Sequence, residues 1–319
     1  MKPLADYQDT YQALFDEVPP SATRRETSQA DIFSPGRGFM QAFDYTMQLQ
    51  VGCPGGCLFC YVPSNSRLTP RDVRGDQGQN WGFVIRDKAE VIYKLRRYLT
   101  RGLLADKTIY WSGITDPYAA APAITKSFWQ TLLEVEPNQR PRRIAIQSRF
   151  RPDRDVDLLQ DYQKSSRSTD GGPPIVISYS IGTDRNDLIR AWEKATPLFE
   201  QRLMAIETLC QSGIFVVATL SPFGLWQNLS GTLLQFKAWG VAYLTCLFFK
   251  QNTSSANTPR RFLSYLQEHY PQLLNVEWQA ERVHEMQSIY GAERVLIGKA
   301  GFESLTQPHR IANDMVFNS

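Results

Sequence analysis

The feature that most constrains this chain of 319 residues is a cluster of three cysteines in one short segment. Cys53, Cys57 and Cys60 stand in the spacing C-x3-C-x2-C, and they are three of only five cysteines in the sequence. An odd count with three packed together is a poor disulfide framework, and it fits a reducing compartment in which thiolates bind metal. Cys210 and Cys246 lie in apolar surroundings and are interpreted as small buried residues. The spacing therefore predicts a metal centre held by one loop.

Two kinds of metal centre fit clustered thiolates. A structural zinc site usually takes four ligands in two separated pairs, but no second pair exists here, and the three histidines are scattered near the C-terminus. A [4Fe–4S] cluster is the better interpretation, because cysteine thiolates are its usual ligands. Three thiolates leave one iron open to chelate a small molecule through an amine and a carboxylate. Gly55 and Gly56 let the loop wrap closely, while Phe59 and Tyr61 would shield the cluster from solvent.

Beyond the first 45 residues, short apolar runs alternate with amphipathic stretches. The predicted strands are Thr46–Val51, Thr108–Ser112, Arg143–Ser148, Ile175–Ile181, Phe215–Leu220 and Val241–Phe249. The predicted helices between them are Lys88–Arg101, Ile124–Val135, Arg154–Tyr162, Leu198–Gln211 and Leu229–Trp239. Six strand–helix units imply parallel strands with right-handed crossovers, in a (β/α) barrel or a doubly wound sheet. We expect an N-terminal lead-in over 1–45, the α/β unit over 46–250 and a helical extension over 251–319.

Charge and hydropathy exclude several classes of protein. The sequence has 35 basic and 32 acidic residues, so its net charge is only +3. A strongly cationic nucleic-acid scaffold is therefore not indicated, although a local basic patch remains compatible with this balance. No apolar run approaches the length that spans a bilayer, and the N-terminal segment has no apolar signal core. We expect a cytoplasmic protein without a membrane partner.

The cysteine spacing, with an aromatic residue before the last cysteine, resembles the signature of the radical S-adenosylmethionine (radical SAM) superfamily. The resemblance implies a partial (β/α)6 barrel of the TIM type, in agreement with the six units counted above. It also implies that S-adenosylmethionine (SAM) caps the open iron of a [4Fe–4S] cluster. One electron from an external donor, such as ferredoxin or flavodoxin, would then cleave SAM, and the resulting 5′-deoxyadenosyl radical would abstract hydrogen from a substrate.

Further segments resemble the spore photoproduct lyase and DNA repair photolyase-like branch of that superfamily. They are Ser112–Tyr118 with its T-D-P-Y stretch, Arg154–Leu159, and Glu193 followed by Arg202-Leu203 and Gly213-Ile214. This chain also departs from the branch. Ala119 to Pro122 replace the usual continuation with its acid, and the turn from Ser112 to Thr115 lacks the cysteine that donates hydrogen in spore photoproduct lyases. The resemblance therefore supports radical SAM chemistry more strongly than it supports repair of thymine dimers.

The resemblance assigns cofactor-binding roles to residues at the carboxyl ends of the strands, where parallel barrels place their chemistry. Ser112, Thr115 and Asp116 would contact the amino and carboxylate end of SAM, although these residue types also favour simple capped turns. Arg149, to which the branch's basic residue is displaced, could grip the methionyl carboxylate, because guanidinium pairs well with carboxylates. A solvated surface arginine is the alternative.

Other residues are candidates for the remaining parts of the site. Ser178 and Ser180 share one face of a strand and could reach the ribose hydroxyls, and Glu193 could orient a cofactor or substrate group. Leu220 lies near the expected adenine site. Tyr61 and Tyr118 could relay a hydrogen atom, although core packing with a satisfied hydroxyl is the commoner role of such tyrosines.

Three hypotheses for function remain open at this stage. A radical enzyme that modifies a ribosomally made peptide precursor, in the manner of a splicease, is slightly favoured, and it could need a small recognition partner protein. A DNA-lesion lyase of the spore photoproduct lyase type is the alternative, for which Arg67, Arg71 and Arg74 could contact an anionic substrate. The third is a non-enzymatic metal-binding scaffold. For either macromolecular substrate, the resemblance makes cleavage of a C–C bond the expected outcome.

Overall fold

A computed structural model describes residues 6–166, 168–251 and 258–313 of the chain. The strands are β1 Arg24–Ser28, β2 Phe33–Pro35, β3 Tyr45–Met47, β4 Gln50–Val51, β5 Val84–Lys88, β6 Thr108–Trp111, β7 Arg143–Ser148, β8 Ile175–Ser180, β9 Phe215–Leu220, β10 Leu244–Cys246 and β11 Val295–Ile297. The helices are α1 Tyr7–Phe15, α2 Arg71–Arg74, α3 Val91–Thr100, α4 Pro122–Leu133, α5 Val156–Ser165, α6 Asn186–Trp192, α7 Phe199–Gln211, α8 Leu229–Trp239, α9 Arg260–His269, α10 Val276–Tyr290, α11 Lys299–Glu303 and α12 Pro308–Asn313. None of these helices is long and apolar enough to cross a membrane.

The main sheet has eight strands in the order β2-β3-β6-β7-β8-β9-β10-β11. Every neighbouring pair is parallel except β2 with β3. The strand order never reverses along the chain, which distinguishes a barrel-type winding from a doubly wound sheet. Because β2 and β11 form two free edges, the sheet is not closed. The predicted partial barrel of the TIM type is confirmed.

Alternation of side chains along the strands creates two different layers. One face of the sheet packs against the surrounding helices, as Ile144 and Ile146 of β7 and Ile177 of β8 illustrate. The opposite face holds Ala145 and Val176, which pack against the C-terminal α11 segment inside the partial barrel. Because side chains of a strand point alternately to its two faces, the sequence parity of a strand residue decides which layer its side chain joins.

The structure differs from the sequence-based boundaries in three places. The predicted strand Thr46–Val51 is split, because β3 joins the main sheet while β4 pairs antiparallel with β5 in a second sheet, ordered β1-β5-β4. The second difference is β11, which adds a seventh parallel strand from within the expected helical extension. The third is α6, a short helix after β8 that the periodicity did not indicate. Residues 252–257 and 314–319 of the expected extension, and 1–5 of the expected lead-in, lie outside the described residues.

A buried ion pair at the amino end of β7 connects the sheet to a surface turn. The side chain of Arg143 is fully buried, and its Nη1 and Nη2 donate to Asp170 at 2.9 and 2.8 Å. Partial burial of Asp170 opposes its ionisation, but the hydrogen bonds from Arg143 and Ser168 prevail and hold the pKa of this carboxyl well below its usual value.

We predict that Asp170→Asn lowers the free energy of unfolding by about 3 kcal/mol at neutral pH, because it leaves a buried guanidinium without its counter-charge. The carboxylate's contribution is present above the unfolded-state pKa of about 4 and is lost as pH falls through the lower folded-state value. Urea unfolding of both proteins at neutral and acidic pH should therefore show the difference shrinking in acid. Asp161→Asn, at an exposed position, is the matched control. An equal loss in both variants would contradict the prediction.

Candidate functional site

The three cysteines lie in a loop that follows β4 and is fastened to a distant part of the chain. Inside the loop, the backbone N–H of Cys60 donates to the carbonyl of Cys57 at 3.0 Å. Leu58 N–H donates to Trp192 O at 2.9 Å, and Lys194 N–H donates to Gly55 O, also at 2.9 Å. The segment that leaves α6 therefore fixes the loop on both sides of Cys57.

Gly56 allows this close approach. Its φ of +54° lies in the left-handed region, and a Cβ at this position would stand 2.8 Å from the Cβ of Lys194. Helix α1 packs over the same turn, where the Tyr7 hydroxyl donates to Gly56 O at 2.9 Å. A residue with a side chain at position 56 would have to displace the loop from α6.

The three thiols lie in a largely desolvated setting. Burial raises the pKa of Cys53 to about 11, that of Cys60 to about 12 and that of Cys57 well above its usual value, while Arg149 acts in the opposite direction on all three. The Trp81 side chain forms a hydrogen bond with Cys60. Thiols in such surroundings bind metal only by releasing their protons, so a bound metal must supply the compensating charge.

Among the described residues, no three cysteine, histidine or acidic side chains form a group that could hold a single metal ion. In an iron–sulfur cluster each cysteine binds a different iron, so such a cluster does not require its three thiols to converge on one ion.

Arg149 is the cation that opposes the rise in pKa of all three thiols. It follows β7, and its Nη1 donates to Glu193 Oε1 at 2.7 Å. Its Nη2 donates to Ser180 Oγ at 3.1 Å and to Ser221 O at 2.8 Å. The guanidinium carbon lies 5.1 Å from the ring centroid of Phe59. Burial opposes its charge, but Glu193 and the neighbouring thiols outweigh burial and raise the pKa of Arg149.

Glu193 connects Arg149 to a second buried arginine. Its Oε2 accepts from Arg202 Nη2 at 2.6 Å and from the hydroxyl of Thr196. Burial alone would raise the pKa of the Glu193 carboxyl, but the two arginines outweigh burial and lower it. The site therefore contains an ionised Arg–Glu–Arg chain, whose first member is stacked beside the cysteine loop.

Asp116 organises the turn after β6. Its Oδ1 accepts from Ser148 Oγ at 2.7 Å and from Tyr118 N–H at 2.9 Å, and its Oδ2 accepts from Arg149 N–H at 2.8 Å. Burial raises the pKa of this carboxyl, against the effect of these hydrogen bonds. The carboxylate thus ties the ends of β6 and β7 together and fixes the backbone of Arg149.

The structure gathers most of the sequence-predicted residues at one end of the sheet. Tyr61 reaches across from the cysteine loop and donates to Gly113 O at 2.9 Å, and Ser112 hydrogen-bonds with Tyr110. Thr115 is buried in the same turn. Ser180 contacts Arg149, whereas Ser178 lies one layer deeper, where its hydroxyl is 2.5 Å from that of Thr219.

Two predicted residues have side chains on the other side of the sheet. Tyr118 packs between sheet and helices, where its hydroxyl accepts from Trp129 Nε1 at 3.1 Å. Leu220 is fully buried in the same helix-facing layer. The parity of β9 explains this placement, because Leu220 follows Val216 and Ala218 on one face while Thr219 points to the barrel interior. The side chains of Tyr118 and Leu220 therefore do not line the site.

Sequence reasoning missed three residues that the structure brings to the site. Trp81 bonds Cys60 from a loop with no strand or helix signal, and Tyr7 covers the cysteine loop from the N-terminal helix. Arg202 carries the only usable signal, because it sits on the apolar face of α7, where a charged side chain requires a buried partner.

The basic loop after the cysteines engages part of its own positive charge. Arg71 pairs with Asp76, and Arg74 donates to the carbonyl of Gly75 at 3.1 Å. Arg67 is exposed. Two of the three arginines considered for an anionic substrate are thus already engaged within the loop.

Comparison with known proteins identifies the fold. No family model matches the chain, and no curated protein matches it. Two solved structures cover 91% of this chain and 83% of their own, each with a TM-score of 0.51. They are a spore photoproduct lyase complexed with dinucleoside spore photoproduct, at 13% identity, and a variant with bound AdoMet and the same dinucleoside, at 12% identity. A radical S-adenosylmethionine methyltransferase, TsrM, from Kitasatospora setae is similar over 63% of this chain and 35% of its own, with a TM-score of 0.41 and 14% identity.

We predict that Gly56→Ala destabilises the protein by about 1–3 kcal/mol more than Gly171→Ala, because the new methyl group meets Lys194. Both glycines have positive φ, but a Cβ at Gly171 would meet nothing within 4 Å. The second variant therefore controls for backbone strain alone. Urea unfolding of the two variants beside the wild type measures the difference, and equal midpoints would show that the loop does not need this close approach.

Proposed function

We propose that this protein is a radical SAM enzyme. The observation that carries the proposal is that Cys53, Cys57 and Cys60 share one loop, in which Cys57 is buried and the other two are half-buried, near the carboxyl ends of the strands of a partial barrel. The fold likeness to spore photoproduct lyase over 91% of the chain supports the same conclusion. The three thiolates would hold a [4Fe–4S] cluster and leave one iron for SAM.

The residues around the loop suit an anionic cluster. Arg149 supplies a partly buried positive charge beside the thiols, and Trp81 supplies a hydrogen bond to Cys60. Phe59 packs against Phe249 and Phe262 with ring centroids 6.3 and 6.0 Å away, which limits access of water. When bound, the reduced cluster and SAM together supply a 5′-deoxyadenosyl radical that removes a hydrogen atom from the substrate.

This chain's own residues would bind and orient SAM. Arg149 uses three N–H groups in the bonds described above, and a guanidinium has five, so it retains donors for the methionyl carboxylate. The turn held by Asp116 would present its backbone and Ser112 to the same end of the cofactor. Ser180 would lie nearer the sugar. Tyr61, beside Cys60, is the better candidate for a hydrogen relay, because the Tyr118 side chain lies in the helix-facing layer.

The substrate is proposed to be a macromolecule in which hydrogen abstraction leads to cleavage of a C–C bond. A nucleic-acid lesion is consistent with the similarity to a spore photoproduct lyase bound to its dinucleoside. The peptide substrate that the sequence slightly favoured has no support from the comparisons. An external one-electron donor such as ferredoxin or flavodoxin is part of this proposal, and the recognition partner protein stays a prediction.

We predict that anaerobic reconstitution with iron and sulfide gives the wild type a cluster that, once reduced, cleaves SAM to 5′-deoxyadenosine. Cys57→Ala should lose both the cluster absorbance and the product, because one iron loses its ligand. Cys210→Ala is the matched control, since Cys210 lies on α7 among hydrophobic side chains, and it should behave as the wild type. Iron content, the absorbance spectrum and chromatography of the nucleoside product make the measurement.

Two results would contradict the proposal. One is a wild-type protein that retains zinc and no iron after reconstitution. The other is a cluster that forms equally well in Cys57→Ala and in the wild type. Once the uncoupled reaction is established, deuterium transfer from labelled dinucleoside spore photoproduct into 5′-deoxyadenosine would test the lesion-repair substrate directly.

A further inference from the structure

The buried Arg–Glu–Arg chain is larger than the binding of a cofactor carboxylate requires. Arg149 can reach SAM and the cluster, whereas the Arg202 side chain is fully buried on α7 behind Glu193. Replacing a buried ion triad with apolar residues often leaves a protein equally stable. Its presence here therefore calls for an explanation other than stability.

Arg202 and Arg149 divide the Glu193 carboxylate between them. Oε2 is taken by Arg202 Nη2 at 2.6 Å and by Thr196, and Oε1 is left to Arg149 at 2.7 Å. Arg202 is itself fixed, because its Nε donates to Pro197 O at 2.8 Å and its Nη2 to Thr196 Oγ1 at 2.8 Å. With one oxygen occupied, Glu193 cannot bind Arg149 with both oxygens.

This division determines where Arg149 lies. Its single bond to Glu193 leaves Nη2 free to bind Ser180 and Ser221 O and leaves the guanidinium above the Phe59 ring. A carboxylate released from Arg202 would favour the bidentate geometry that arginine and carboxylate prefer. That change would draw Arg149 toward α6 and away from the cysteine loop.

The same arrangement fixes the local charge. The triad of two arginines and one glutamate carries a net charge of +1, and the Asp116 carboxylate, which accepts from the Arg149 backbone N–H, is a second acid near Arg149. Nη1 of Arg202 has no hydrogen-bond partner among the described residues. A positive charge near a cluster favours its reduced state, because that state carries one more electron. The effect is larger for a buried charge, which salt screens poorly.

We infer that Arg202 is a positioning residue that acts through Glu193 to hold Arg149 beside the cysteine loop and so raises the reduction potential of the cluster. The inference rests on the proposed function, since it requires a cluster on Cys53, Cys57 and Cys60. It assigns Arg202 no contact with the cluster, SAM or substrate.

The test measures the midpoint potential of the reconstituted cluster in the full chain without SAM, by a redox titration monitored by electron paramagnetic resonance. Arg202→Met should lower the equilibrium constant for reduction about tenfold, which is 59 mV for one electron. In a Glu193→Gln background, Arg202→Met should shift the potential much less, because Arg202 then has no carboxylate through which to hold Arg149. Arg202→Lys should restore most of the wild-type value.

Arg101→Met is the matched control, because it removes an exposed arginine just beyond α3 and should leave the potential unchanged. Arg202→Met leaves a neutral Arg149–Glu193 pair and is expected to fold. If it does not, Arg202→Gln is measured against the same criterion. Thermal unfolding of each variant separates a change in potential from a change in stability.

The outcomes separate the inference from the proposed function. A wild type that forms no cluster overturns both. A wild type with a cluster and an Arg202 variant with the wild-type potential overturns the inference alone, whatever happens to stability. A potential that falls in Arg202→Met, recovers in Arg202→Lys and no longer depends on residue 202 in the Glu193→Gln background supports it, whereas an equal fall in both backgrounds overturns it.

Discussion

The segment 192–196, which runs from the last residue of α6 into the connection to α7, is the constraint on which the site depends. It holds the cysteine loop by two backbone hydrogen bonds, from Leu58 to Trp192 and from Lys194 to Gly55. It also carries Glu193, which fixes Arg149. One segment of chain thus sets both the position of the thiols and the position of the charge that compensates them, so the two cannot shift independently.

The sheet separates this polar arrangement from the apolar core. Residues of one parity, such as Ile144 and Ile177, pack against the helices. Residues of the other parity become polar toward the carboxyl ends of the strands, where Ser178 and Ser180 follow the apolar Val176. Because this polar end lies on a well-packed lower layer, Arg149 and its partners are held in place without contributing to the hydrophobic core.

The sequence predicted the parts of this design that follow from spacing and periodicity. The cysteine loop and five of the six strands were found near their observed positions, because the spacing and the runs of β-branched residues are local signals. The split of Thr46–Val51 between two sheets was not predictable, since it depends on pairing with β5. Trp81 escaped detection for the same reason, because only tertiary structure brings its loop to Cys60.

Side chains were assigned to the site wrongly where the alternation of side chains between the two faces of a strand was not considered. Leu220 ends a strand near the site, but it shares the helix-facing side with Ala218, so position along the strand alone misplaces it. The same reasoning explains why Ser180 and Arg149 meet, since both point to the barrel interior from neighbouring strands.

The distribution of charge distinguishes what the site is built to hold. Near the cysteines, Arg149 and Arg202 share one glutamate and retain positive charge. In the neighbouring loop, Arg71 is paired with an acid of its own segment. A surface that binds the backbone of a polyanion needs arginines that can pair with its phosphates and so release the counterions of the nucleic acid. Under the proposed function, the buried Arg149 beside the thiols would face the anionic cofactor, whereas a run of phosphates would have to be met by the exposed loop, where Arg71 is already paired.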